Sequence, residues 1–255
     1  DVAGYLVLDD VLSRDHCQRL TEALHEVIDT PQDGLPKGVS HTALSDGESS
    51  IGDLTGIGPL FADLIDLPPV VDILTEIINP RLRLEVAYAR IRMKGYEGLH
   101  LHGGARNEID PNFMYQHKNG KIFAGHTVVS FNLTDVSEEE GGFVCIPGSH
   151  ISHFPTPHDL TDFSDGIYDA SVLRSVPCKA GSVVIFTEAL AHGALPWNQD
   201  DDRVNLFYKY NHAGMKWRHF WPSSEALEQM TPAQRLFYTE VAADGRKKPI
   251  LHPGR

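Results

Sequence analysis

The feature that most constrains the fold is a change of character at Pro80. Beyond it, Leu82–Met93 combines alternation with β-branched residues, and strand-like runs follow at Thr127–Leu133, Gly142–Ile146, Ser182–Phe186 and Val204–Tyr210. Short strands separated by turn-rich connections predict a mainly β domain of the sandwich or jelly-roll kind. Before Pro80 the pattern differs. Gly4–Leu8 reads as a short strand, and Ser13 is an N-cap for a helix carrying Cys17, Leu20, Leu24, Val27 and Ile28 at helical spacing. Thr30–Ser50 turns to Pro, Gly, Asp and Ser, which predicts a long surface loop or lid. Helices are expected over Gly58–Ile65 and Val70–Ile78, the second following Pro68-Pro69 and stopped by Pro80. Glu138–Gly142 reads as a solvated turn between strands. Thr231-Pro232 opens a closing helix expected to run through Val241, followed by a basic tail, Arg246–Arg255. With no repeat or linker, residues 1–255 read as a single domain: a helical N-terminal part (1–80), a jelly-roll core (81–212), and a C-terminal helix and tail (213–255).

Charge narrows the partners. The chain has 35 acidic against 22 basic side chains, a formal charge of -13, which opposes docking on a nucleic-acid polymer or an anionic membrane. No apolar run approaches the roughly 20 residues of a transmembrane helix. The expected partner is therefore a small molecule. Cys17, Cys145 and Cys178 are widely spaced and form no C-x-x-C pair, which predicts free thiols in a reducing, cytoplasmic compartment.

The unusual count is 14 histidines, and three segments place some of them for chemistry. They are Gly98-Leu99-His100-Leu101-His102-Gly103-Gly104, then Gly142–His150 ending in Pro147-Gly148-Ser149-His150, then Ala191-His192-Gly193 with Arg203 eleven residues after His192. Histidines presented from separate strands of a barrel can converge on one metal, and neutral imidazole suits a transition metal such as iron. A nearby arginine can hold a carboxylate through two parallel hydrogen bonds. Together these segments describe a metal with a carboxylate co-substrate.

On these segments the chain resembles the phytanoyl-CoA dioxygenase superfamily of non-haem iron, 2-oxoglutarate-dependent oxygenases. The resemblance runs from Gly4–Val7 and the first helix, through Gly141–His150, to His192 and Arg203, and Pro147–His150 is its most specific element. It implies a double-stranded β-helix, the jelly roll of cupin-like folds, with flanking helices. It also implies Fe(II) held by a His-x-Asp pair and a distal histidine, 2-oxoglutarate anchored by an arginine, and O2 as oxidant. His192 and Arg203 fit the distal histidine and the anchoring arginine.

The departure lies in the first pair, because no His-x-Asp is present. The chain offers His100-x-His102 or His102-x-Gly104, and on a continuous strand 100, 102 and 104 share one face. With His102 as ligand and Gly104 at the carboxylate position, the site resembles the superfamily's aliphatic halogenases, in which a small residue there leaves room for chloride. With His100 and His102 both bound, the site is three-histidine. As a third assignment, Asp110 or Glu108 supplies the carboxylate from the following loop. The Gly104 assignment leads, since a double glycine at a strand end permits close approach to the backbone, although such glycines also simply turn a chain. The expected activity is oxidation of an unactivated C–H bond of a small molecule, by halogenation at an open Gly104 site. The alternatives are hydroxylation at a variant site and a metal-free jelly-roll binding protein.

Smaller expectations concern the substrate. Arg90 and Arg92 alternate on one strand and, with Lys94, leave room for a phosphorylated molecule such as a nucleotide, although strand arginines are more often solvated. Phe131 occupies a position where the family often places an aromatic beside 2-oxoglutarate, against an equally good reading as core. Tyr115, His117, Lys118 and His126 precede the next strand, where residues can line a substrate mouth, and loop positions are the commoner outcome. His150 reads as orienting a turn, and His153, His158, His212, His219 and His252 carry no spacing signal.

Overall fold

The computed structural model describes residues 1–105, 110–138, 140–152, 154–157, 171–239 and 241. Tyr5–Leu8 forms β1. Ser13 caps α1 (Arg14–Asp29), its hydroxyl accepting from the His16 amide, and the helix buries Cys17, Leu20, Leu24 and Val27 along one face. The expected lid departs from the sequence reading. Thr30–Ser50 contains β2 (Ser40–Ser45), which turns at Asp46-Gly47 into β3 (Glu48–Gly52). The overlooked signal is the Asp-Gly dipeptide, a strong hairpin cue. β2 lacks apolar alternation because it is an edge strand, exposed at most of its positions. α2 (Pro59–Ala62) and α3 (Pro68–Ile77) follow, each carrying proline in its first turn, where the missing N–H is no loss.

The remaining strands are β4 (Leu82–Arg92), β5 (Leu99–His102), β6 (Tyr115–Lys118), β7 (Lys121–Ala124), β8 (Thr127–Asn132), β9 (Gly142–Cys145), β10 (Arg174–Ser175), β11 (Val183–Thr187), β12 (His192–Leu195) and β13 (Arg203–His212). They form a seven-stranded sheet in the order β1-β11-β8-β13-β4-β3-β2, a four-stranded sheet β10-β9-β12-β5, and the hairpin β6-β7. All the ladders are antiparallel. This is the expected mainly β jelly roll with flanking helices.

Strand alternation divides the chemistry between the two faces of the large sheet. Leu206 and Tyr208 of β13, with Val129 and Phe131 of β8, join the helices in the main core. Tyr208 donates its hydroxyl to the Phe61 carbonyl at 2.7 Å and Tyr210 to that of Ile65 at 2.8 Å, tying β13 to the helical layer. The intervening residues face the small sheet, where Val128, Val184, Phe186 and Phe207 pack near Phe143 and Cys145.

At the C-terminal end, Ser223 caps α4 (Ser224–Gln229), and Thr231 and Gln234 form a capping box on α5 (Pro232–Arg235). The closing helix is shorter than expected. A 3-10 turn over Leu236–Tyr238 ends it, and Thr239 is extended. Phe237 and Tyr238 are drawn into the core, the Tyr238 hydroxyl donating to Thr55. The basic tail lies outside the described residues. Cys17, Cys145 and Cys178 are buried free thiols, and among the described residues no helix is long and apolar enough to cross a membrane.

Candidate metal and co-substrate site

β5 and β12 are neighbours in the small sheet, and their register sets His102 directly opposite His192. The ring centroids are 4.2 Å apart. Each Nδ1 lies against a backbone oxygen, His102 at 3.1 Å from the His100 carbonyl and His192 at 2.8 Å from that of Leu190. A carbonyl only accepts, so each Nδ1 carries the proton and each Nε2 keeps a free lone pair. Burial, reinforced by neighbouring His102, pushes His192 down to about 3, so it is neutral at pH 7. Two imidazoles, each with its Nδ1 held against a backbone carbonyl and its Nε2 facing away from it, are the donor set that divalent transition metals prefer.

A third donor stands beside them that the sequence reading did not single out. Glu188 lies in the turn after β11, and ligand atoms of Glu188, His102 and His192 all fall within 4.8 Å of one another. It is 3% exposed, and Lys209 donates to its Oε1 at 2.7 Å. Burial, the largest single influence, would raise this carboxyl, but the Lys209 ammonium together with His192 and His126 outweighs it and holds it down to about 2. Its amide donates to the His126 carbonyl at 2.8 Å, and its carbonyl accepts from the Gly104 amide at 3.0 Å. The available signal was a carboxylate four residues before the distal histidine. It acquires meaning only when the turn folds back on itself, the Leu190 amide donating to the Thr187 carbonyl.

Gly103 and Gly104 have φ of +73° and +74°. β5 therefore ends at His102, and the face expected to be shared by 100, 102 and 104 does not extend to Gly104. Two successive left-handed residues turn the chain out of the strand. A Cβ at Gly104 would meet Ala191 Cβ and Thr156 Oγ1 at 3.4 Å, whereas one at Gly103 would stand 2.6 Å from the Leu190 carbonyl oxygen and 2.7 Å from that of Glu188. The group that could hold a metal ion, among the described residues, contains His102 and not His100, whose carbonyl orients the His102 ring. Asp110 caps the short turn Pro111–Phe113, its Oδ1 accepting from the Asn112 amide and side chain. Glu108 lies outside the described residues.

Between the two sheets is a cavity of about 180 Å³, lined among others by His102, His192, Arg203, Arg90, Ser130 and Lys209. That is roughly six times the ~30 Å³ share of a water molecule in liquid. Arg203 is 3% exposed, yet its Nε and Nη1 have no hydrogen-bond partner. Burial, and then the nearby Arg92, pushes this guanidinium down to about 9. Arg92 is already engaged, its Nε at 3.0 Å from Glu48 and its Nη1 at 3.4 Å from Asn205. Arg203 is thus a buried cation with open donors, a state that disfavours folding unless an anion completes it. Arg90 also lines the cavity, its Nη1 buried without a partner and its Nε 3.9 Å from Glu48. Lys94 instead pairs with Asp200 on the surface. A larger groove of about 890 Å³ contains the exposed Arg14–Asp135 pair and Asp200–Asp202, away from the histidines.

The other expected candidates lie elsewhere. Phe131 is core, edge-on to Tyr208. Tyr115 donates to Asp1, and His117 and Lys118 are exposed on β6. His126 is fully buried against Trp217, neither ring nitrogen partnered. His150 Nε2 lies 2.7 Å from the Asp1 carbonyl oxygen and its ring abuts Tyr115, so it fastens the first residues to the turn. His212 Nδ1 accepts from the Gly214 amide. His153, His158 and His252 fall outside the described residues.

Comparison with known proteins bears on the family and the fold. Residues 105–204, a stretch that includes Glu188, His192 and Arg203 and begins just after Gly104, match the family model described as phytanoyl-CoA dioxygenase. No curated protein matches the chain. Among solved structures, HygX from Streptomyces hygroscopicus with nickel and 2-oxoglutarate bound superposes with a TM-score of 0.73 at 23% identity, covering 86% of this chain and 87% of that one. HygX with nickel, 2-oxoglutarate and hygromycin B bound gives 0.72 at 23% identity, with the same coverage of 86% and 87%. The non-heme alpha ketoglutarate dependent carbocyclase SnoK from nogalamycin biosynthesis gives 0.62 at 18% identity, covering 90% of this chain and 87% of its own. Residues 105–204 thus resemble the phytanoyl-CoA dioxygenase family, and the chain as a whole shares its fold with these solved structures.

Proposed function

We propose that this chain is an iron(II)- and 2-oxoglutarate-dependent oxidative enzyme acting on a C–H bond of a small molecule. The observation that carries the reading is Arg203, a buried guanidinium with two open donors in the same cavity as two histidines whose Nδ1 atoms are engaged by backbone carbonyls. His102 and His192 would hold the iron, and Arg203 would hold the distal carboxylate of 2-oxoglutarate by a charge-assisted pair. The bound metal, co-substrate and O2 supply the oxidant, with succinate and carbon dioxide as by-products. The chain's own contribution is placement. The Leu190 carbonyl fixes the His192 tautomer, and Phe143, Phe186, Phe207 and Val128 give the cavity apolar walls that keep it poor in water.

Arg90 supports an anionic, for example phosphorylated, substrate, because its buried Nη1 has no partner in the cavity wall. HygX bound to hygromycin B is a small-molecule precedent on the same fold. A second reading, halogenation, rests on residue type, since Gly104 has no side chain two residues after His102, but the left-handed turn takes Gly104 out of the strand, so this reading needs chloride to bind at the site without placement by that glycine. It predicts halogenated product in chloride.

The test is anaerobic titration of the full chain with Fe(II) and 2-oxoglutarate, following the visible charge-transfer band in wild type and Arg203→Ala, with and without chloride. A band that requires Arg203 is expected. A band indifferent to Arg203 would remove its role, and no band with no metal uptake would favour a metal-free binding protein.

A further inference from the structure

We infer that Glu188 is the third protein ligand of the metal, standing in for the carboxylate that the sequence lacks after His102, and that Lys209 positions it. The inference rests on the reading that His102 and His192 hold iron. Three features bring it to Glu188. Its ligand atom lies within 4.8 Å of both histidine donors. Its ion pair with Lys209 uses Oε1, which leaves Oε2 for a cation. Its backbone is fixed at both ends of the peptide unit, by the His126 carbonyl and the Gly104 amide, so the carboxylate arrives on a held scaffold.

The neighbouring residues fit that role. Lys209 is itself anchored, its ammonium 5.8 Å from the Tyr88 ring centre and 5.4 Å from that of Trp217. The glycines after His102 gain a reason independent of any halide. A Cβ at Gly103 would press on the carbonyl oxygens of Glu188 and Leu190, so a bare backbone there is what lets the end of β5 lie against the Glu188 turn. Two imidazoles and one carboxylate with ligand atoms this close match the three-ligand set of non-haem iron oxygenases, which would leave other positions for co-substrate and oxygen. The carboxylate comes from a different strand end than in a His-x-Asp pair, and glutamate's extra methylene supplies the reach.

The test is calorimetric titration of the metal-free full chain with Ni(II), and with Fe(II) under anaerobic conditions, with circular dichroism confirming the fold of each variant. Glu188→Gln is expected to bind metal at least tenfold more weakly than wild type, and formate is expected to restore part of the affinity in Glu188→Ala. Should the Glu188 variants fold poorly, Lys209→Met answers the same question. If Glu188 is a ligand, Lys209→Met still binds metal and shows a larger metal-induced rise in Tm than wild type, because the metal replaces the ammonium as the carboxylate's counter-charge. Wild-type affinity in Glu188→Gln, or a metal-induced rise in Lys209→Met no larger than in wild type, would overturn the inference. His102→Ala is the separate control: if it too binds like wild type, the metal reading itself falls, whereas loss of binding there with none in Glu188→Gln removes Glu188 alone.

Discussion

Arg203→Met separates stability from function at one residue. Burial holds the guanidinium near 9 against an ordinary 12.5, and at 1.36 kcal/mol per pKa unit this corresponds to at most about 5 kcal/mol against the charged form. Because the folded value is the lower one, the penalty is fully present below pH 9 and is relieved only as pH rises from 9 toward 12.5. At pH 7.5 an apolar side chain of similar length should therefore stabilise the metal-free protein, and replacements of buried charge by apolar groups typically gain about 1–4 kcal/mol. Taking ~2 kcal/mol, and about 2–4 °C per kcal/mol for a chain of this size, Tm should rise by roughly 4–8 °C. With Ni(II) present and 2-oxoglutarate at a hundred times its Kd, wild type should gain about 2.7 kcal/mol and the variant nothing, so the order of the two Tm values closes or reverses. Scanning calorimetry of both proteins, with and without 2-oxoglutarate, reads all four states. A variant less stable than wild type without co-substrate would show that Arg203 already has a partner, and an undiminished response to 2-oxoglutarate would refute its role as anchor.

Three further outcomes follow from the geometry. Gly103→Ala should lower Tm markedly, since a left-handed φ disfavours a Cβ by about 1–2 kcal/mol and this one collides with two carbonyl oxygens; a Tm within a degree of wild type would contradict the close approach of β5 to the Glu188 turn. His126 is held near 3 by burial, so the unfolded chain takes up its proton first and stability drains as pH falls from 6.5 toward 3. The advantage of His126→Phe over wild type in urea unfolding should then widen by about 1.4 kcal/mol per pH unit below 6.5, and a pH-independent difference would count against a neutral buried imidazole. Tyr208→Phe removes one of the donors to the buried Phe61 carbonyl, which keeps the Leu64 amide, and should cost about 0.5–1.5 kcal/mol, measured by the same unfolding.

The jelly roll was legible where strands are long and one-faced. β4, β8, β9, β11 and β13 fall on the five runs read from the sequence, because each carries β-branched or alternating residues that a half-buried strand requires. β5 and β12, the strands that carry the histidines, are only four residues each; the Leu-His alternation of β5 is too short to stand out and β12 does not alternate. Their identity as strands depends on pairing across the small sheet. The β2–β3 hairpin resembles a lid in sequence because an exposed edge needs no apolar face. The expectation that parity would carry to Gly104 failed at two left-handed glycines, which local alternation does not anticipate.

The residue types therefore determined the class of chemistry: imidazoles flanking glycines, an arginine at the start of a long strand, and an alternation that sends Arg203 and Lys209 to one face and Leu206 and Tyr208 to the other. These are local properties, set by the period of a strand. Which carboxylate joins the histidines, and which arginine is left without a partner, was decided only by tertiary structure. His102 and His192 meet across ninety residues of chain, Glu188 reaches them from the turn after β11, and Glu48 engages Arg92 but not Arg203. Such choices rest on how strand ends from two sheets face each other, and that register is a non-local outcome no single stretch of sequence encodes.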